Sequence, residues 1–185
     1  MTVETGSGVK ALRLFLRDGQ VGSVEVNMDK ASFSAAEIPA VWKAEKIVDA
    51  PAVIGGEEYR ITCVNVGNPH CVVFCDGIDG LDLETVGPQF EHAPMFPERV
   101  NTEFVRVVNR HTLRMRVWER GSGETLACGT GACAAVVAAC ENGLCDRGSD
   151  VKVCLLGGEL TVNCTDERVL LTGGASVVYE GSFQY

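Results

Sequence analysis

Residues 132–140 read ACAAVVAAC, an unbroken run of small apolar side chains. A helix built from this run is apolar all round, so it has no face that it can leave in water. It must be enclosed. The run is far too short for a membrane, where a helix needs roughly 20 apolar residues. Other parts of the same chain therefore have to wrap it. Asn142-Gly143 supplies the stop at its C-terminal end.

The material available for wrapping is strand. Residues 3–5, 10–17 and 21–28 are short alternating runs broken by Gly6, Gly8 and Asp18-Gly19. Asp-Gly between two such runs marks a hairpin. Residues 60–66 and 71–75 are β-rich and flank Gly67-Asn68-Pro69-His70. Residues 102–109 and 112–119 are strands separated by Asn109-Arg110-His111, and 151–156, 159–164 and 169–172 are three more. Residues 81–90 read as a second helix, with Asp79 or Asp82 as its cap. This pattern predicts an α+β fold, mostly antiparallel strands wrapped around a central buried helix. No long linker or low-complexity segment divides the chain.

Hydrophobic residues make up 46% of the 185 and charged residues 22%, which is globular composition with enough apolar material for a core. A net charge of -9 argues against nucleic acid as a partner, because phosphate-backbone binders carry a basic face. The start, MTVETGSGVK, has neither the basic nor the apolar region of a signal peptide. The expectation is a cytoplasmic chain with no membrane partner, whose nine cysteines are reduced and serve mostly as small hydrophobes.

One of those cysteines stands apart. In ERGSGETLACGTGACAAV, Cys128 precedes Gly-Thr-Gly at the mouth of the apolar helix. The first N–H groups of a helix lack partners inside it, and the dipole is positive at that end. That field favours a thiolate and is expected to lower the thiol from about 8.5 toward neutrality, marking Cys128 as the first thiol to be alkylated. The N–H groups around Gly129, Thr130 and Gly131 suit an anion such as a carboxylate. A base beside an anion hole is the arrangement that removes a proton α to a carboxylate. The plain alternative is a buried thiol packing in a Gly-Ala turn. Gly129-x-Gly131-x-x-Ala134 also fits a loose dinucleotide-binding pattern, but GSGETLAC before it is no apolar strand. The pairs Cys71/Cys75, Cys128/Cys133 and Cys140/Cys145 lack the CxxC spacing of a zinc site, and no lysine follows the glycines as in a Walker loop.

The stretch ERGSGETLACGTGACAA, together with VGNPHCVVF and RVNTEFV, resembles diaminopimelate epimerase. The resemblance implies an isomerase of lysine and cell-wall biosynthesis that interconverts LL- and meso-diaminopimelate without pyridoxal phosphate, other cofactor or metal. It implies a two-base mechanism, in which one cysteine thiolate removes the α-proton and a second thiol returns one to the opposite face. Cys128 matches one of the two. Gly129 and Thr130 match the backbone donors that hold the reacting carboxylate. Asn68, Asn101 and Arg120 match groups that recognise the distal amino-acid end. Glu119 matches a catalytic residue near the reacting ammonium, and His70 one that supports the catalytic site.

The residues themselves bear on these assignments. Leu113, Met115, Val117 and Glu119 share one strand face, so Glu119 falls in the inward phase, where an unpaired carboxylate is costly. A bound ammonium is one partner for it; a strand end facing solvent is the other reading. Arg120 falls on the opposite face, either as a solvated charge or as a bidentate clamp on a carboxylate. Asn68 before Pro69 is also ordinary turn chemistry. His70 and Asn101 carry no separate signal.

The resemblance further implies two pseudo-symmetric domains, each with a glycine-rich cysteine motif and a site between them. No Cys-Gly-Asn-Gly occurs in the 185 residues. The expectation is that residues 1–29 are strands of an otherwise missing first domain, 30–171 the complete second domain, and 172–185 a segment returning to the first. The chain alone is then expected to be inactive, with diaminopimelate and the first domain as partners and room for a homodimer. Two alternatives stay open: another cofactor-independent amino-acid racemase or isomerase of this fold, and a non-catalytic binding or assembly module.

Overall fold

The apolar run is a helix, and it is enclosed. In the computed structural model, which describes residues 1–6 and 8–184, a helix spans Gly129–Glu141 and every residue from 131 to 140 is buried. Its last turn closes as expected: Gly143 takes φ +70, its N–H reaches Cys140 O at 3.1 Å, and Leu144 N–H reaches Ala139 O at 2.8 Å. These two bonds satisfy carbonyls that the helix itself leaves open.

Around it the chain forms β1 (Thr2–Thr5), β2 (Gly8–Arg17), β3 (Gln20–Asn27), β4 (Ala50–Ile54), β5 (Glu57–Asn65) and β6 (Pro69–Phe74). A 3-10 turn (Ile78–Gly80) and α1 (Leu83–Glu91) follow, then β7 (Asn101–Asn109), β8 (Thr112–Glu119) and β9 (Gly123–Thr125). The buried helix is α2 (Gly129–Glu141), and β10 (Asp150–Leu155), β11 (Gly158–Cys164) and β12 (Val169–Gly174) complete the chain. β8 has the bounds read from the sequence, and the other expected strands have ends moved by a few residues. β4 and β9 were not expected. Asp18 (φ 52) and Gly19 (φ 79) make the tight β2–β3 turn, with Arg17 paired to Gln20. Asp82 does precede α1, but its carboxylate accepts from the Thr85 hydroxyl at 2.6 Å rather than from a backbone N–H.

The strands form one sheet in the order β1-β2-β3-β12-β11-β10-β8-β7-β6-β5-β4, with β9 on β8. All its pairings are antiparallel except β6 with β7 and β8 with β10. Those two parallel joins are the places where the chain crosses over through α1 and through α2. The sheet also curls until its two limbs meet. After β3 the chain leaves β12, where Met28 N–H reaches Val169 O, and bridges to β5 through Ser32 and Asn65 at 2.9 and 2.8 Å. This circuit surrounds α2. β12 pairs with both β11 and β3, so it lies across the boundary expected at residue 171.

The middle strands are two-faced, as a period of two requires. Val64, Val72, Val105, Leu113, Met115 and Val117 pack on α2. Ile61, Cys63, Cys71, Val73, Phe104 and Trp118 face the other way, into a second core under α1. At Gly87 of α1 a Cβ would lie 2.2 Å from the Trp118 ring, which is pinned by its Nε1–H donating to Glu91 Oε2 at 2.7 Å. Gly87→Ala is therefore expected to lower stability by about 1–3 kcal/mol through overpacking, despite alanine's better helix propensity. An unchanged denaturant midpoint would show that the ring shifts without cost. Among the described residues no helix is long and apolar enough to cross a membrane.

Candidate active site

The apolar face that packs on α2 ends in polar residues. His70 continues the phase of Val72, Glu103 that of Val105, and Glu119 that of Val117. β6 and β7 run parallel with His70 beside Asn101, and Thr102 pairs with Trp118, so these residues gather at one end of the β6-β7-β8 sheet. The N-terminus of α2 points to the same end. Cys128 is its cap residue, in extended backbone conformation, with Sγ accepting from Gly131 N–H at 3.3 Å.

A continuous chain of side chains runs inward from that thiol. Cys128 Sγ meets Thr130 Oγ1 at 3.5 Å, and Thr130 Oγ1 accepts from Asn68 Nδ2 at 3.3 Å. Asn68 Oδ1 meets His70 Nε2 at 2.9 Å, and His70 Nδ1 meets Glu103 Oε1 at 2.7 Å. Both His70 and Glu103 are fully buried. A Cβ on Gly131 would stand 2.8 Å from Glu103 Oε1 and 3.2 Å from Cys128 Sγ, so only glycine lets the carboxyl and the thiol approach the first turn together.

The other expected residues frame this line. Asn101 Nδ2 donates to Pro69 O at 2.8 Å and its Oδ1 accepts from Arg120 N–H at 2.9 Å, so in this state it braces two strand ends. Glu119 is half-buried, and its Oε1 accepts from the Thr125 hydroxyl at 2.5 Å, which gives the inward carboxylate a partner that the sequence did not reveal. The Arg120 side chain is exposed and donates to Glu98 O at 3.0 Å, and no carboxylate stands across from it among the described residues. Gly131 and Ala132 direct their N–H groups to Cys128, whereas Gly129 and Thr130 N–H meet no acceptor among the described residues. Two open donors beside a thiol make a seat for a carboxylate.

The expected acidic thiol is not what the fold produces. Burial pushes Cys128 up to about 11, and the Glu119 carboxylate adds to that, against help from Thr130 and the Gly131 N–H. The helix-mouth field is present, but desolvation of the charged form outweighs it. Cys164, far along β11, is the thiol that is lowered: contact with Cys140 is the main cause and Arg147 contributes, against burial. Only the thiolate is alkylated, so the rate at Cys128 is expected to climb about tenfold per pH unit from 8 to 10. A rate that levels off near pH 8 would contradict the burial effect.

A family model described as Diaminopimelate epimerase matches residues 62–178. The chain belongs to the diaminopimelate epimerase family. It is 46% identical over 191 residues to the diaminopimelate epimerase of Desulfovibrio desulfuricans, covering 99% of this chain and 66% of that protein. With the diaminopimelate epimerase of Acetivibrio thermocellus it shares 47% over 181 residues, covering 97% and 64%. The chain thus spans less than two thirds of the length of these relatives. Among solved structures, a hydroxyproline epimerase from Agrobacterium vitis superposes with a TM-score of 0.68 at 18% identity, covering 97% of this chain and 58% of that one. A PhzF-family phenazine biosynthesis protein from Bacillus anthracis gives 0.58 at 14%, covering 93% and 64%. At such identities these two share the fold of this chain and no more.

Sequence reading missed Glu103, although NTEFV places a carboxylate in the apolar phase of a strand, which was the available signal. It also missed Glu91, buried beside the loop that carries Arg120. Burial alone would raise its pKa, but Trp118 Nε1–H, Gly121 N–H, His92 and Arg99 hold it below the usual carboxylate range.

Proposed function

We propose that this chain supplies one of the two acid/base thiols of a diaminopimelate epimerase, with Cys128 as the group that exchanges the α-proton. The observation that carries the reading is a cysteine capping α2 beside two open N–H groups, those of Gly129 and Thr130. A substrate α-carboxylate bound there would place its α-carbon over the sulfur. As the proton leaves, charge grows on the carboxylate, and the helix N-terminus is already oriented to stabilise it. At neutral pH the elevated Cys128 is a thiol, so in the state described here it is set to donate a proton. Glu119, at the end of β8, suits the reacting ammonium. Asn68, Asn101 and Arg120 lie on the same end of the sheet and suit a second amino-acid end.

Inversion needs a donor and an acceptor on opposite faces. The neighbouring thiol, that of Cys133, is fully buried one turn into α2 and cannot face a substrate. We therefore read residues 30–171 as one domain of the epimerase, and residues 1–29 and 172–185 as strands and tail that pair with a first domain bearing the second thiol. Support comes from β2, where Val9, Leu14, Phe15 and Leu16 are exposed large apolar side chains. The test compares substrates in protein completed with the part of the D. desulfuricans relative that this chain does not cover. Diaminopimelate should be epimerised and an amino acid with one carboxylate should not. Equal handling of both would remove Asn68, Asn101 and Arg120 from the substrate site and favour a general amino-acid racemase.

A further inference from the structure

The chain from Glu103 to Cys128 has a direction, and the donors set it. Asn68 Oδ1 can only accept, so His70 Nε2, at 2.9 Å, carries a hydrogen. Between His70 Nδ1 and Glu103 Oε1, at 2.7 Å, one further hydrogen is shared. The pair holds two protons in all and is neutral whichever member holds the second. Asn68 Nδ2 then donates to Thr130 Oγ1, which leaves the Thr130 hydroxyl hydrogen free to point at Cys128 Sγ.

The surroundings of Glu103 agree with a neutral pair. The carboxyl is fully buried, and its second oxygen, Oε2, has no hydrogen-bond partner among the described residues. A carboxylate would leave a charged oxygen without a donor, which is costly, whereas a carboxyl sharing a proton at Oε1 leaves only a carbonyl-like oxygen. Among the described residues no lysine or arginine is paired with it. Gly131 keeps the carboxyl against the first turn of α2, close to the reacting sulfur.

We propose that Glu103 is a positioning residue for the reacting thiol: with His70 it retains two protons, and this aims each donor along Asn68 and Thr130 toward Cys128 Sγ. The reversed polarity, with Asn68 turned over and His70 Nε2 bare, would make Thr130 an acceptor for the thiol and oppose thiolate formation. The fold therefore raises the thiol by burial and supplies, through Glu103, a hydrogen bond ready for the charge when it develops. The proposal rests on Cys128 being the proton-transferring group, but its test does not use turnover.

The test is long-range 1H–15N correlation on the chain labelled at histidine, with the surface residues removed as His92→Gln and His111→Gln so that His70 gives the single imidazole. A protonated Nε2 near neutral pH is the expected result, and a bare Nε2 overturns the proposal. Two variants add a second readout. Glu103→Gln can still donate to Nδ1 and should keep both the Nε2–H and the Cys128 alkylation rate within about threefold, whereas Glu103→Leu should slow alkylation about tenfold. Gln as damaging as Leu would mean that a carboxylate charge is required, and would overturn it. Should Leu prevent folding, the imidazole signal and the Gln variant still decide. A protonated Nε2 together with failure of the completed protein to exchange an α-proton would sink the epimerase reading and leave the polarity standing.

Discussion

Cys128→Ala is expected to reduce α-proton exchange in the completed protein by about a thousandfold or more, since it removes one of the two proposed acid/base groups. The loss should appear in the chemical step with little change in binding, because in the proposed site the Gly129 and Thr130 N–H groups, not the sulfur, hold the carboxylate. Cys133→Ala is the matched control. It sits in the same helix, fully buried, and should cost about 1 kcal/mol of stability through the small cavity left behind, with exchange unaffected. If both variants lose activity alike, the thiol at the helix mouth is packing material, and the binding-module alternative gains.

Gly131→Ala should cost about a hundredfold in turnover, the scale associated with misplacing a reacting group by about 1 Å. The added Cβ would meet Glu103 Oε1 at 2.8 Å, and Cys128 Sγ and Cβ at 3.2 and 3.3 Å. Neither neighbour is a loose chain end: the carboxyl is held by His70, and the sulfur belongs to the cap residue of α2. One of them must move. Stability should fall less than activity, because alanine improves the helix by about 1 kcal/mol and partly offsets the overpacking. Separate measurement of thermal midpoint and exchange rate distinguishes a displaced site from a loosened core. Normal exchange in Gly131→Ala would mean that the close approach of Glu103 to the thiol has no role.

Much of the fold was legible because one element dictated it. A helix with no polar face requires a wrapping, and the alternating runs, among them residues 10–17, 112–119 and 151–156, were the material for it. β4 escaped notice because APAVI carries Pro51, and proline weakens a strand reading; it is tolerated there because β4 pairs with β5 alone, at the sheet edge. β9 is three residues, Gly-Glu-Thr, and exists through its pairing with β8, not through any propensity of its own. At the site, Cys128 and the glycines after it were readable from local chemistry. Its acidity was misjudged, because the helix field is local in sequence whereas burial by strands from both ends of the chain is not. Glu103 and Thr125 acquire their roles only when β7 and β9 are brought beside β8, so one-dimensional reading could not assign them. The resemblance named Asn101 for the substrate, whereas the fold already engages its amide with Pro69 and Arg120 backbone.

The central claim is that these 185 residues hold one of two thiols needed for inversion. It is tested most directly by deuterium entry at the α-carbon of diaminopimelate in heavy water, followed by NMR. One sample holds this chain alone, and the other adds the part of the D. desulfuricans relative that it does not cover. Exchange is expected in the combined sample only. Exchange by the chain alone would contradict the half-site. Its absence from both, with the added part folded and bound, would contradict the epimerase reading itself.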